Sequence, residues 1–162
     1  MAEKLLGLIL ELDRETEARM KSIELALREL GIRGEQTADV PHHITLGMYP
    51  LSRERELTER IERAREKLKG FPITFQHIGL FGLRVLFFAP DASRELLDLH
   101  ALLALEPDPR WCPHATLLMD RPENILKALP VMAERFERLD ARAARLYLSE
   151  FPPERTILSI DL

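Results

Sequence analysis

One tetrapeptide, His-x-Thr-Leu, occurs twice in this chain of 162 residues, as His43-Ile44-Thr45-Leu46 and as His114-Ala115-Thr116-Leu117. The copies lie seventy-one residues apart, and a proline stands just ahead of each, Pro41 in the first and Pro113 in the second. Both open short apolar segments rich in strand-forming residues, so each is read as a strand. Side chains at i and i+2 leave the same face of a pleated strand. His43 and Thr45 therefore project together, as do His114 and Thr116. Ile44, Leu46 and Met48 in one strand, and Ala115, Leu117 and Met119 in the other, are expected on the opposite, core-facing side.

The surrounding pattern repeats in the same way. Lys4 to Leu12 reads as a buried strand, and Asp13 is placed to cap a helix whose apolar positions Met20, Ile23, Leu27 and Leu30 run up to Gly31. After the first motif strand, Leu57, Ile61, Ala64 and Leu68 keep helical spacing through a charged segment ending at Gly70. Phe71 to Leu80 and Arg84 to Ala89 read as strands, followed by a helix through Leu105 and a Pro-punctuated loop to Pro113. The second motif strand leads into a helix from Pro122 to about Leu139, which Pro130 is expected to kink or divide. Ala141 to Phe151 and Arg155 to Leu162 complete the set as strands. The order β-α-β-α-β, then β-α-β-α-β-β, predicts a duplicated unit in which helices cover mixed or antiparallel sheets. No linker separates the halves, about 1–82 and 83–162, so they are expected to be lobes of a single domain spanning 1–162.

Composition narrows the function classes. With 46% hydrophobic and 31% charged residues and only seven glycines, the chain is neither disordered nor fibrous. Its longest apolar run, Leu5 to Leu10, is far below the ~20 residues that span a bilayer, and no export signal is legible. The single cysteine, Cys112, belongs to no disulfide or zinc pattern, which fits the reducing cytoplasm. A net charge of −4 argues against an extended nucleic-acid surface, which needs many Lys/Arg–phosphate contacts. Any nucleic-acid substrate must be met locally.

If the halves are related by an approximate two-fold axis, their polar faces meet across a groove. Two imidazoles flanking a phosphate suit in-line displacement at phosphorus: one neutral ring takes a proton from the attacking oxygen, and one imidazolium protonates the leaving oxygen. Histidine's unperturbed pKa of ~6.5 lets both forms exist near neutrality. Thr45 and Thr116 can donate hydrogen bonds to the non-bridging oxygens. This chemistry needs no metal or cofactor. The sequence leaves open which histidine is acid and which is base.

Carried on His43-Ile44-Thr45-Leu46, His114-Ala115-Thr116-Leu117 and the duplicated element order, the chain resembles the two-histidine (2H) phosphoesterases, which include 2′-5′ RNA ligase-like proteins and cyclic nucleotide phosphodiesterases. The resemblance covers nearly the whole chain. It implies an α+β, duplicated bilobal fold, with two mainly antiparallel sheets, helices on their outer faces and a central cleft carrying the two motifs. It also implies His43 and His114 as the catalytic pair, Thr45 and Thr116 as phosphate-binding hydroxyls, and metal-independent action on 2′-phosphate linkages. The substrate expected is a nucleotide 2′,3′-cyclic phosphate or an RNA terminus, and the protein is expected to act as a monomer. A 2′-5′ RNA ligase or phosphodiesterase, and a non-catalytic nucleotide- or RNA-end-binding module, are the alternatives.

Other residues invite simpler readings. His42 has the opposite strand parity to His43 and is expected to be structural, as are His77 and His100. Cys112 lacks the fixed partner a nucleophile needs. Gly79-Leu80-Phe81-Gly82, flanked by strands, reads as a turn and not as an RNA-backbone clamp. Tyr49, Phe81 and Trp111 are candidates either to stack a base at the cleft rim or to fill the core.

Overall fold

The computed structural model describes residues 3–37, 40–152 and 155–162. Its elements are β1 (Leu5–Leu12), α1 (Arg14–Glu29), β2 (His43–Pro50), α2 (Glu54–Ala64), β3 (Pro72–Phe81), β4 (Val85–Pro90), α3 (Arg94–Leu103), β5 (Ala115–Met119), α4 (Pro122–Arg135), β6 (Leu139–Phe151) and β7 (Arg155–Asp161). Helices α1 and α4 pack against each other, and α2 packs against α3. Among the described residues no helix is long and apolar enough to cross a membrane.

All strand pairings are antiparallel, but they form one sheet and not the two expected. Its order is β1-β2-β5-β4-β3-β6-β7, with β1 also paired to β6. The reason is the length of β6. Its first residues pair with β3, from Leu139 opposite Phe75 to Arg142 opposite Pro72. From Ala143 onward it pairs with β1, and from Arg145 also with β7. One thirteen-residue strand thus joins β3 to β1 and β7. On the far side β2 meets β5 through a single bridge, Ile44 opposite Ala115. Strands β1, β2, β5, β4, β3 and β6 consequently close into a ring. The boundary expected between the sequence halves, near residue 82, falls in the β3–β4 turn, where Gly82 adopts φ +54°.

Where β6 changes partners, Asp13 holds the corner. Its carboxylate accepts from the Thr16 N–H at 2.9 Å and the Thr16 hydroxyl at 2.8 Å, capping α1, and from the Arg142 N–H at 2.7 Å. The Asp13 N–H in turn donates to the Arg142 carbonyl at 3.0 Å. Within α1, Met20, Ile23 and Leu27 are buried as their spacing predicts. Leu30 is 62% exposed because the helix stops one residue earlier; Gly31, at φ +79°, then turns the chain so that Ile32 fills the core. Pro130 does not divide α4. It sits on the exposed side, where the Leu126 carbonyl it frees can turn to water.

Burial raises the Asp13 pKa, but the hydrogen bonds from Thr16 and Arg142 outweigh it and hold the carboxyl below its usual range. A depressed folded-state pKa contributes stability above the unfolded value of ~3.9, and that contribution is lost as pH falls through the folded value. Asp13→Ala should therefore cost at least about 1–2 kcal/mol at pH 7 through the lost cap. In urea unfolding, the gap between wild type and variant should narrow at acid pH; an unchanged gap would show that the carboxylate is not the stabilising group.

Candidate active site

The Ile44–Ala115 bridge sets the geometry of both motifs. Continuing that antiparallel register places His43 opposite Thr116 and Thr45 opposite His114. Ile44 and Ala115 are fully buried on the far face. Beyond the bridge the strands separate, because another segment has taken the free edge of β5. The Gln36 amide donates to the Leu117 carbonyl at 3.2 Å and accepts from the Met119 N–H at 3.0 Å, and the Glu35 N–H donates to the Met119 carbonyl at 2.6 Å. The gap is a cavity of about 460 Å³ lined by His43, Thr45, His114 and Thr116 together with Met48 and Met119.

Those two methionines were expected in the core. In β2 the register passes from Leu8 opposite Gly47 to Ile9 opposite Thr45, leaving Leu46 as an extra residue. In β5 it passes from Leu86 opposite Leu118 to Phe87 opposite Thr116, leaving Leu117 extra. Each bulge, three residues after its histidine, reverses the alternation of faces. Met48 and Met119 are therefore turned outward, 41% and 42% exposed. Tyr49 is turned inward instead, 8% exposed, with its hydroxyl accepting from the Leu105 N–H at 3.1 Å, so it stacks no base.

Both imidazoles are oriented by the same device. Nδ1 of His43 lies 2.8 Å from the Pro41 carbonyl, and Nδ1 of His114 lies 2.8 Å from the Cys112 carbonyl. A carbonyl can only accept, so each Nδ1 carries a hydrogen and Nε2 is the nitrogen left to exchange protons. Among the described residues neither Nε2 has a partner. Burial pushes the His43 pKa down; the Pro41 carbonyl and Glu17 oppose this, and His42 and His114 add to it.

The remaining aromatic candidates support the site from outside the cavity. Trp111 stacks flat on His100, ring centroids 4.0 Å apart, and its Nε1–H donates to the Thr45 carbonyl at 3.2 Å. One face of the indole is thus covered, and the ring ties the loop ahead of His114 to β2. Phe81 meets the His114 ring edge-on at 4.7 Å, and Phe87 flanks the same ring at 5.2 Å. Gly79 makes room for this group, since a Cβ there would come within 2.2 Å of the Phe87 ring.

His42 is buried as a structural residue. Its N–H and Nδ1 meet the Glu17 carboxylate at 2.9 and 3.0 Å, and its Nε2 lies 3.6 Å from Glu24. His77 is exposed near Asp91, and Cys112 contributes its carbonyl and not its thiol. Among the described residues no group of three or more His, Cys, Asp or Glu side chains could hold a metal ion. Gln36 escaped the sequence reading because its contact with β5 is long-range. Met48 and Met119 carried a legible signal, since the repeat extends to His-x-Thr-Leu-x-Met.

A family model described as the 2′-5′ RNA ligase superfamily matches residues 13–151. The fold is similar to that of E. coli LigT solved with ATP, at 23% identity and a TM-score of 0.60, covering 99% of this chain and 96% of that one. The E. coli LigT structure with phosphate aligns at 22% identity and a TM-score of 0.59, over 99% and 96% of the two chains. A structure titled a phosphoesterase aligns at 20% identity and a TM-score of 0.57, over 98% and 95%. No curated protein sequence matches the chain.

In an NMR pH titration of the ring nitrogens, His43 should titrate below the ordinary ~6.5. Its midpoint should rise in His114→Ala, where one source of repulsion is gone. A wild-type midpoint at or above the ordinary value would contradict the burial that the geometry assigns to this ring.

Proposed function

The chain belongs to the 2′-5′ RNA ligase superfamily of 2H phosphoesterases, and on that premise we propose that it is a metal-independent phosphodiesterase opening a 2′,3′-cyclic, or related 2′-linked, phosphate of a nucleotide or RNA end. The observation that carries the reading is the pairing of the motifs around one cavity, each imidazole anchored through Nδ1 with its Nε2 unpartnered. Bound phosphate and ATP in the two E. coli LigT structures support a phosphorylated ligand.

The environment of His43 supports one division of roles. His43, which burial disposes to the neutral form, takes a proton through Nε2 from the attacking water. His114 gives its Nε2 proton to the leaving ribose oxygen as the P–O bond breaks. Thr45 and Thr116, set diagonally across the bridge, donate to the two non-bridging oxygens and stabilise the charge that builds there. Met48 and Met119 offer apolar, adaptable surfaces to the nucleoside. The family description favours a second reading of the same chemistry, formation or cleavage of a 2′-5′ linkage, in which a ribose hydroxyl replaces water.

Either His43→Ala or His114→Ala should lower turnover of nucleoside 2′,3′-cyclic phosphates by about 10²–10⁴-fold and abolish one limb of a bell-shaped pH profile. Chelator should leave the wild-type rate unchanged. Equal turnover by wild type and both variants would end the proposal, and a preference for 2′-5′ dinucleotides would select the second reading.

A further inference from the structure

The cavity has a second polar wall that the paired-histidine chemistry does not use. It is built by the end of α1 and the loop that follows, and it presents Arg28, Arg33 and Thr37 beside Glu24. Arg28 is committed through one guanidinium nitrogen to Glu24, which Lys21 also holds, at 3.0 Å. Its Nε is buried without any hydrogen-bond acceptor. Enclosed by protein, that nitrogen is closed to a ligand, and Arg28 meets the cavity through the 35% of its side chain that stays exposed. Arg33 also faces the cavity and has no carboxylate or carbonyl partner among the described residues.

This wall is held in place before any ligand arrives. Ile32 is buried in the core on one side of Arg33, and on the other side Gln36 is clamped to β5 at Leu117 and Met119. Gly31 and Gly34, both at φ +79°, let the chain make the turns between these anchors. Two guanidiniums and a hydroxyl against one carboxylate make this wall net cationic in a chain of charge −4. Guanidinium forks and hydroxyls match the oxygens of a phosphate group.

Resting on the proposed function, we infer that the substrate carries a second phosphate besides the one at the histidines, and that Arg33 and Arg28, with Thr37, bind it. A lone nucleoside cyclic phosphate would leave this wall empty. The second phosphate has two possible sources: a terminal phosphate on the same nucleotide, or the neighbouring diester of an oligonucleotide end.

The test is calorimetric binding at fixed ionic strength, which does not depend on turnover. Adenosine 2′-monophosphate, adenosine 2′,5′-bisphosphate and an adenylyl dinucleotide ending in a 2′-phosphate are titrated into wild type and Arg33→Gln. A charge-assisted contact predicts that at least one two-phosphate ligand binds wild type about tenfold more tightly than the monophosphate. Arg33→Gln should abolish that gain while holding the monophosphate affinity within about twofold, the residue lying outside the histidine motifs. A gain for the bisphosphate alone identifies a terminal phosphate, and one for the dinucleotide alone a chain diester; both support the inference. Equal affinities on wild type, or a gain that survives in Arg33→Gln, overturn it while leaving the histidine chemistry standing. Failure of all three ligands to bind would remove the phosphate reading of the cavity and this inference with it.

Discussion

A single backbone bridge, Ile44 to Ala115, is the join on which the site depends. It brings together two strands that are far apart in the chain, and its antiparallel sense puts the histidine of one motif diagonally across from the histidine of the other. Had β2 and β5 zipped along their full length, the polar face would be a flat strip of ladder. They separate because Gln36 supplies, with one side-chain amide, the acceptor and donor that the Met119 N–H and Leu117 carbonyl would otherwise seek in β2. Backbone groups at a strand edge seek partners, so a side chain that satisfies them opens the strands at little cost.

The bulges at Leu46 and Leu117 complete that design. Without them the cleft beyond each threonine would be lined by Tyr49 and Leu118, and the methionines would be inside. Because the bulge recurs at the same offset in both halves, the pseudo-symmetry extends from the His-Thr pairs to the apolar flanks of the cavity. The surroundings then break it. His42 engages Glu17 and Glu24 beside the first motif, whereas Phe81 and Phe87 brace the ring in the second. The two halves thus surround chemically similar histidines with different neighbours.

Charge is arranged locally and not globally. The chain is acidic overall, yet the wall formed by α1 and its following loop brings two arginines to a cavity already lined by two imidazoles. Field within a cleft depends on the nearest groups and the low-dielectric walls around them far more than on net charge.

Much of the molecule could be read from residue order. The repeat, the strand assignment of both motifs, the apolar stripes of the helices and the pairing of His43 with Thr45 and His114 with Thr116 all follow from local periodicity, which depends only on neighbours along the chain. Periodicity does not reveal the two bulges, because an inserted residue leaves no mark in an apolar run; it places Met48 and Met119 on the core face for that reason and leaves Tyr49 open between cleft rim and core. Nor could it show that β6 pairs with β3, β1 and β7 in one sheet, that Trp111 reaches the Thr45 carbonyl, or that Gln36, Arg28 and Arg33 belong to the cavity. Those facts are set by contacts between residues distant in sequence. The sequence alone determined which side chains recur as a His-Thr pair and on what kind of strand. Only the tertiary structure decided where they meet and what surrounds them, because long-range register is chosen by the packing and hydrogen bonding of the whole sheet.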